Sequence, residues 1–357
     1  MATSLATAQD SWAVVPMSAD PMFWQVFSRA GNSATWKLDT PPGVAINGGL
    51  IASAGGVSSL TVAVRPSQDL VFSPLAQTAN GGGTWSTAGP INAAVAASPD
   101  ALAADGSHLA ALMSDGTIEA SSDAGTSWSA LAKPGAIAAS PGAKGCGGAV
   151  RVTSVSFGMT STEVLAGGTC GTSGTTAVFA YSSAYGWQRL RLPVSGQLVR
   201  LTDGLALVRG KSGLSALWRG TDWYAYAPLS GTPRPGAAQS AQAGWSESRP
   251  LPVPGPITAA GTLALGGAWV LLPGGRAATV SLTEATSPAG AAAGHPQWLL
   301  LPSVPAHTTV LASGPGGATD ALAVSGATLA VWQLAPGATV WSKVQTISVP
   351  IQYGSSS

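Results

Sequence analysis

Tryptophan recurs in one local context along this chain of 357 residues. Seven times, a short run of strand-forming residues leads into a small polar or glycine turn, then Trp, and then an apolar stretch that usually ends in proline. These tryptophans are Trp36, Trp85, Trp128, Trp187, Trp223, Trp298 and Trp341. Their mean spacing is about 51 residues, close to the period of about 40–50 residues that is typical of repeated four-stranded units. The chain is therefore predicted to repeat one supersecondary unit of short strands.

Composition restricts the fold class further. With 46 Gly and 26 Pro, the sequence leaves little room for uninterrupted helices. An apolar fraction of 45% with a net charge of +1 argues against disorder, and glycine without a three-residue period excludes collagen. We predict an all-β, seven-bladed β-propeller with four-stranded antiparallel blades. It would form a single domain over residues 1–357, with a short C-terminal tail at 354–357.

One segment interrupts the period. Residues 230–256 are rich in Pro, Gly, Ala and Ser, which predicts a long surface loop and makes Trp223 the start of the fifth blade's outer strand. The alternative, in which Trp245 begins that strand, stays open because Trp187, Trp245 and Trp298 are almost equally spaced. A blade count of six or eight also stays open.

Two of the turns before these tryptophans share a sharper pattern. Residues 121–128 read SSDAGTSW and residues 78–85 read TANGGGTW. A carboxylate or amide in such a turn accepts backbone N–H bonds, and glycine supplies a positive φ. The predicted structural positions are Ser121, Asp123, Gly125, Ser127 and Trp128 in one turn, and Thr78, Asn80, Gly82, Thr84 and Trp85 in the other.

On these two turns and the repeat, the chain resembles the Asp-box (BNR-repeat) propellers. That superfamily includes sialidases, xyloglucanases, sortilin-type receptors and seven-bladed photosystem II assembly factors. The resemblance implies a fold and hardly any function, because the Asp box is a structural motif. A sialidase would also bring three substrate-gripping arginines and an early Arg-Ile-Pro motif. The first 60 residues contain only Arg29, and the tripeptide is missing.

Other chemistries find little support in the sequence. The three histidines are scattered, so no metal site is predicted, and neither a nucleophile motif nor a cofactor motif is found. Most acidic residues lie in turn sequences, where capping is their expected role, although a catalytic carboxylate pair stays open. Nucleic acid is disfavoured by the near-zero net charge. The uncharged stretch 250–275 is interrupted by Gly, Pro and Thr and predicts strands instead of a membrane span.

Two cysteines, Cys146 and Cys170, flank a Gly- and Ser-rich region. A pair in a loop-rich β protein predicts a disulfide and an oxidising compartment. We therefore expect an extracellular or surface domain. The first ten residues lack a signal-peptide pattern, so we expect its export signal not to be in this sequence. Two unrelated free thiols are the alternative.

Basic residues are concentrated in one part of the chain. Residues 144–219 carry eight basic and two acidic groups, whereas residues 1–143 carry four and nine. Arginine suits carboxylates, sulfates and phosphates, and the seven-bladed assembly factors that the chain resembles present an arginine-lined face to a partner. The candidate patch consists of Arg151, Arg189, Arg191, Arg200, Arg209 and Arg219. We predict a non-enzymatic binding or scaffolding module for an acidic protein or glycan. The alternatives are an extracellular glycan-active hydrolase and a structural subunit of a surface assembly.

Overall fold

A computed structural model describes most of the chain. The described residues are 2–7, 9–17, 23–31, 33–41, 50–55, 57–64, 73–86, 93–95, 99–158, 160–202, 204–219, 245–253, 255–281 and 296–349. Their strands form seven four-stranded antiparallel sheets, here named A to G, and in each sheet the strands follow one another in chain order. The predicted all-β class and the four-stranded antiparallel unit are therefore confirmed.

Sheets A to D occupy the first half of the chain. Sheet A contains β1 (Thr3–Ala6), β2 (Asp10–Pro16), β3 (Trp24–Ala30) and β4 (Lys37–Leu38), and sheet B contains β5 (Leu50–Gly55), β6 (Ser59–Val64), β7 (Ser73–Thr78) and β8 (Ala93–Val95). Sheet C contains β9 (Pro99–Asp105), β10 (His108–Met113), β11 (Ile118–Ser121) and β12 (Ser129–Ala132), and sheet D contains β13 (Val150–Phe157), β14 (Val164–Cys170), β15 (Thr175–Ser182) and β16 (Gly186–Leu190). A short helix, α1 (Ala136–Ala139), and a 3-10 helix (Pro141–Cys146) lie between sheets C and D.

Sheets E to G complete the fold. Sheet E contains β17 (Gln197–Thr202), β18 (Leu205–Gly210), β19 (Gly213–Arg219) and β20 (Trp245–Glu247). Sheet F contains β21 (Ala259–Leu263), β22 (Gly267–Leu272), β23 (Arg276–Val280) and β24 (Leu299–Leu300), and sheet G contains β25 (Thr308–Ser313), β26 (Thr319–Ser325), β27 (Thr328–Leu334) and β28 (Ser342–Ser348). Two further 3-10 helices cover Ala264–Gly266 and Pro315–Gly317.

The first strands of different sheets approach one another closely, and their small residues permit it. Ser4 Oγ in β1 donates to Thr262 O in β21 at 3.0 Å, and Trp269 Nε1 donates to Ser4 Oγ at 2.6 Å. A Cβ at Gly261 would lie 2.6 Å from Trp269 Nε1, so a larger residue cannot occupy that position. Ser, Thr, Ala and Gly in the first strands thus account for part of the unusual composition.

The tryptophans that precede the fourth strands contact the preceding sheet. Trp85 Nε1 donates to Asp39 Oδ1 of sheet A at 3.4 Å, and Trp298 Nε1 donates to Ser248 Oγ, just after β20, at 3.1 Å. Trp341 Nε1 likewise donates to Pro302 O, just after β24, at 3.3 Å. The indole rings thus connect neighbouring sheets in addition to filling the core.

Sheet A contacts sheet G through a buried polar cluster, which we call the terminal network. Arg29 Nε lies 3.6 Å from Asp320 Oδ2, and both side chains are 2% exposed. Asp320 also accepts hydrogen bonds from Trp36 Nε1 at 2.9 Å and from Gln333 Nε2 at 3.1 Å. The Gln345 side chain bonds both backbone polar groups of Trp36, at 2.8 and 2.7 Å. The first and last sheets are therefore joined by side chains, and sheet G takes all four of its strands from residues 308–348.

Burial acts on both charges of this network. Desolvation lowers the pKa of Arg29, and attraction to Asp320 and Asp10 opposes that change. Desolvation also raises the pKa of Asp320, while hydrogen bonds from Trp36 and Gln333 and the charge of Arg29 limit the rise. Asp320 is thus stabilised by two groups of sheet A and by Gln333 of its own sheet. Arg29 is stabilised by Asp320 and by backbone oxygens of the turn that follows its own strand.

The fifth sheet corrects one sequence expectation. Its fourth strand begins at Trp245, which pairs with Arg219, and not at Trp223. The predicted loop 230–256 is therefore wrong over Trp245–Glu247, and Leu251 further along the chain forms an isolated bridge to Leu214. Trp223, residues 230–244 and the tail 354–357 lie outside the described residues. The nearly equal spacing of Trp187, Trp245 and Trp298 was the better guide to the fourth strand of this sheet, because a repeat places its units at similar intervals.

The two cysteines form the predicted disulfide. Cys146 and Cys170 are bonded, with their Cα atoms 4.8 Å apart. The bond joins the 3-10 helix Pro141–Cys146 to the end of β14, and both cysteines are buried. It thereby fixes the segment that leads into β13.

Candidate functional site

The two predicted turns make the same hydrogen bonds. In the first, Ser127 N donates to Asp123 Oδ1 at 2.9 Å and Gly125 N donates to Ser121 Oγ at 2.9 Å. In the second, Thr84 N donates to Asn80 Oδ1 at 2.8 Å and Gly82 N donates to Thr78 Oγ1 at 2.9 Å. Every predicted polar position thus serves its own turn. The two tryptophans differ: Trp128 Nε1 donates to Gly125 O of its own turn at 2.9 Å, whereas Trp85 Nε1 donates to Asp39.

Backbone geometry at these turns is also equivalent. Gly82 and Gly125 both have φ 85°. A Cβ at Gly82 would lie 1.4 Å from Asp39 Oδ2, so the turn fits against sheet A only with glycine there. The residue before it has positive φ too: 66° at Gly81 and 57° at Ala124.

The Asp123 carboxylate has an acidic pKa of about 2, well below its ordinary value of 3.8. The hydroxyl of Ser127 is the largest cause, followed by the Ser127 amide and the Ser121 hydroxyl, which all stabilise the charged form. Both Asp123 oxygens are used inside the turn, at 2.6–2.9 Å from their donors. This carboxylate serves the turn and is poorly placed to bind a ligand.

Basic side chains gather at one edge of sheets D and E. In each sheet we name as the upper edge the one where the first strand begins and the fourth strand ends. In an antiparallel sheet this edge also holds the turn between the second and third strands. The residues at the upper edges of sheets D and E are called the basic edge and are Lys144, Arg151, Arg189, Arg191, Arg209, Lys211 and Arg249.

Local structure explains these positions. Arg151 is the second residue of β13, Arg189 lies near the end of β16, and Arg209 lies near the end of β18. All three therefore lie close to the same edge, although they are far apart in sequence. The loop 191–196 joins the two sheets there, and Thr176 N donates to Gly196 O at 3.1 Å.

The disulfide-bonded segment adds to this edge. A Cβ at Gly142 would lie 2.7 Å from Trp187 O, so the 3-10 helix rests directly against β16. A Cβ at Gly145 would lie 3.5 Å from Arg189 Nη1, which places the Arg189 guanidinium beside this helix. Lys144 is the exposed basic residue of the same helix.

Two of the six predicted arginines do not belong to the edge. Arg200 lies in the middle of β17, and its Nη1 donates to Ala260 O of sheet F at 3.2 Å. Arg219 ends β19 at the opposite edge of sheet E. The sequence count also missed Arg249, because it lies outside residues 144–219. Arg191 follows the last residue of β16, so it does not share a strand with Arg189. Both arginines are nevertheless exposed on either side of the buried Leu190.

The charge of the basic edge is not neutralised internally. In the described ranges, ion pairs join Arg29 to Asp320 and Lys37 to Asp39, and neither pair includes a basic-edge residue. Six of the seven side chains are exposed and Arg209 is half-buried. An unpaired, exposed set of guanidinium groups can form bidentate hydrogen bonds with carboxylates or other oxyanions.

The described ranges contain neither a cluster of metal-ligand side chains nor a membrane-spanning helix. There, His, Cys, Asp and Glu form no group of three or more that could hold a metal ion. No helix in those ranges has the length and apolarity needed to cross a bilayer.

The structures to which this chain is similar are β-propellers. YCF48 from Cyanidioschyzon merolae is 14% identical, with 94% of this chain and 95% of that chain covered and a TM-score of 0.49. A protein from Lactobacillus plantarum is 11% identical, with 96% and 97% covered and a TM-score of 0.50. The lectin of Aleuria aurantia, described as a six-bladed β-propeller, is 12% identical, with 99% and 96% covered and a TM-score of 0.41.

Those identities concern the fold alone. No family description matches the sequence, and no curated protein matches it. The described strands give the chain an all-β fold of four-stranded antiparallel sheets, and its function must be argued from its own residues.

Proposed function

We propose that this protein is a non-enzymatic binding module, a seven-bladed Asp-box propeller that binds an acidic segment of a protein partner at its basic edge. The main supporting observation is that seven basic residues lie at one edge of sheets D and E. In the described ranges, none of them forms an ion pair with an acidic residue of the chain. The seven sheets in chain order and the two equivalent turns support the propeller type.

Electrostatics favours such a role. Exposed charges of one sign on a rim mainly raise the association rate of an oppositely charged partner and suppress wrong partners. Because such charges are exposed, salt screens them over roughly 8–10 Å at physiological ionic strength. The proposed interaction is therefore sensitive to salt.

Three of the acidic residues have structural roles instead of catalytic ones. Asp123 serves a turn, Asp320 serves the terminal network, and Asp39 accepts from Trp85 and pairs with Lys37. Each of these carboxylates has a structural partner. A hydrolase would need a pair of carboxylates facing a substrate cleft.

We also propose that the protein works in an oxidising compartment outside the cytoplasm or at the cell surface. The Cys146–Cys170 disulfide is the supporting observation, because such bonds persist mainly in oxidising environments.

The test reverses two charges of the basic edge. The probe is a fluorescein-labelled peptide with six glutamates, and its binding is measured by fluorescence anisotropy over a series of salt concentrations. Substituting Arg189→Glu and Arg191→Glu together should weaken binding about tenfold at low salt, since rim charges act largely through association. The difference from the unmodified protein should shrink as salt rises.

A matched control changes the same charge elsewhere. Lys37 and Lys343 lie on outermost strands, as Arg189 does, but in sheets A and G. The double variant Lys37→Glu and Lys343→Glu should bind the peptide nearly as the unmodified protein does. Equal binding by the two double variants would refute the basic edge as the binding surface.

A further inference from the structure

A groove lies between sheets C and D and opens beside the basic edge. Its volume is about 450 Å³, within the usual range for ligand sites. The β10–β11 turn, the segment around α1 and the start of β13 line it, and all lining residues fall within the described range 99–158. Arg151 belongs both to this groove and to the basic edge.

The groove combines an apolar floor with a charged rim. Leu112, Met113 and Ile137 are buried at its floor. The exposed charged residues that line it are Asp100, Asp115, Lys133 and Arg151. None of the lining residues is aromatic, so the groove lacks the stacking platform that a sugar ring would use.

Both signs of rim charge are available to a ligand. Within residues 99–158, no ion pair joins the two carboxylates to the two cations. Asp115 accepts from Thr117 N at 2.8 Å and from Thr117 Oγ1 at 2.9 Å, and these bonds lower its pKa. The lowered pKa keeps Asp115 charged. Each of its carboxylate oxygens has a second lone pair and can accept another hydrogen bond.

Neighbouring Glu119 adds to the negative end. Its Oε2 is buried and has no hydrogen-bond partner in the described structure. Burial raises the pKa of Glu119, and the nearby charge of Asp115 raises it further. A cation bound at this end of the groove would relieve that repulsion.

A long basic side chain matches this arrangement. Lys and Arg lay their aliphatic stems on apolar surface while the charged head stays at a polar rim. The floor can accept the stem, and Asp100 and Asp115 can accept the head. Acidic neighbours of that residue on the partner would then face Lys133 and Arg151.

We propose that this groove binds one basic side chain of the acidic partner segment and so fixes where that segment sits on the basic edge. The proposal rests on the function proposed above. It makes the groove a specificity-determining site, because a uniformly acidic segment would satisfy the edge but leave the carboxylate end of the groove unpaired.

The test uses two labelled peptides, Glu-Glu-Glu-Gln-Glu-Glu-Glu and Glu-Glu-Glu-Lys-Glu-Glu-Glu, measured by anisotropy at low salt. Net charge alone predicts weaker binding of the Lys peptide, since it is less negative. The groove predicts the reverse, with the Lys peptide binding about fivefold tighter, as expected for one added charge pair. In the variants Asp100→Asn and Asp115→Asn, and above all in their combination, this preference should disappear.

Asp105 provides the matched control. It ends β9, the strand in which Asp100 is the second residue, so the two lie at opposite edges of sheet C. Asp105→Asn should keep the preference for the Lys peptide.

Each outcome separates the two proposals. If both peptides bind the unmodified protein but the Lys peptide binds no better, the groove inference is wrong and the basic edge stands. If neither peptide binds, the proposed function itself is wrong. If free lysine abolishes the preference for the Lys peptide as effectively as the Lys peptide competes for itself, the groove binds a free amino acid and the inference of a partner side chain is overturned.

Discussion

The terminal network makes a quantitative prediction for the substitution Asp320→Ala. The carboxylate is 2% exposed, lies 3.6 Å from Arg29 Nε, and accepts from Trp36 and Gln333. Removing one partner of a buried ion pair costs about 3–5 kcal/mol, because the remaining charge is left uncompensated. The buried indole N–H of Trp36 would also lose its acceptor, which adds a further penalty of about 1 kcal/mol or more. We expect the free energy of unfolding to fall by at least about 4 kcal/mol.

The magnitude is tested by a double-mutant cycle in urea, followed by tryptophan fluorescence. Arg29→Met alone should also be strongly destabilising, because Arg29 Nη1 donates to backbone oxygens of Gly31 and Ser33 at 3.1 and 2.9 Å. The double variant Arg29→Met and Asp320→Ala should cost less than the sum of the two single variants, by about 1–3 kcal/mol. Additive costs would show that the two charges do not stabilise each other.

Asp39 is the internal control for this experiment. It occupies a comparable place between sheets A and B, but Lys37, its ionic partner, is 55% exposed at 3.8 Å. Its hydrogen bond from Trp85 is long, at 3.4 Å. Asp39→Ala should therefore cost only about 1–2 kcal/mol.

Hydrogen exchange would show where the stability is lost. If the network joins the first sheet to the last, Asp320→Ala should speed amide exchange in β1–β4 and β25–β28 together. Strands β9–β12 of sheet C, which the network does not touch, should keep most of their protection. Uniform acceleration over all sheets, or a loss below about 1 kcal/mol in the urea experiment, would refute the reasoning.

Two further predictions concern the paired turns. Ala124→Gly should stabilise the protein by about 0.5 kcal/mol in urea unfolding. The change removes the cost of a left-handed Ala, about 1–2 kcal/mol, but glycine loses more backbone entropy on folding, which offsets about 0.5–1 kcal/mol of the gain. The reverse change, Gly81→Ala, should be destabilising. The pKa of Asp123 is lowered to about 2 in the folded protein, so its contribution to stability should be complete above about pH 4 and be lost as the pH falls towards 2. Asp123→Asn, which copies Asn80 of the other turn, should remove that part of the acid dependence of thermal unfolding, and an unchanged acid limb would contradict the assigned hydrogen bonds.

Much of the fold could be predicted because its signals are local. Trp36, Trp128, Trp298 and Trp341 each stand immediately before a fourth strand, as the repeat requires. The turn around Asp123 follows from residues within eight positions of one another. Hydrophobic alternation, turn chemistry and a tryptophan period need no knowledge of distant contacts.

Side-chain pairs between residues far apart in the chain could not be predicted from the sequence. Arg29 and Asp320 are almost the full chain apart, and nothing beside either residue indicates that they meet. In the sequence, Arg29 stands out only as the single arginine of the first 60 residues, and no pattern marks Asp320. Side-chain pairs between the first and last sheets depend on how the whole set of sheets is arranged, which a local pattern does not encode.

The candidate site was predicted in part, for the same reason. Counting charges placed a basic excess within residues 144–219, but two strands, β14 and β15, lie between those of Arg151 and Arg189 in sheet D. Asp100 and Asp115 were interpreted as turn residues, and Asp115 does accept hydrogen bonds from Thr117. It also lines the groove, so a capping role and a role in binding are not exclusive.

The basic edge itself follows from topology once the strand order is known. In a four-stranded antiparallel sheet, the start of the first strand and the end of the fourth lie at one edge, whatever the number of residues between them. Arg151 is the second residue of β13 and Arg189 the second-last of β16, so the sheet brings them to one edge, and the disulfide-bonded helix places Lys144 beside them. By the same rule Arg219, the last residue of the third strand of sheet E, lies at the opposite edge. The edge at which a charged residue lies therefore depends on the direction of its strand and on its position in that strand. Reversing the charges of Arg189 and Arg191 changes one edge alone.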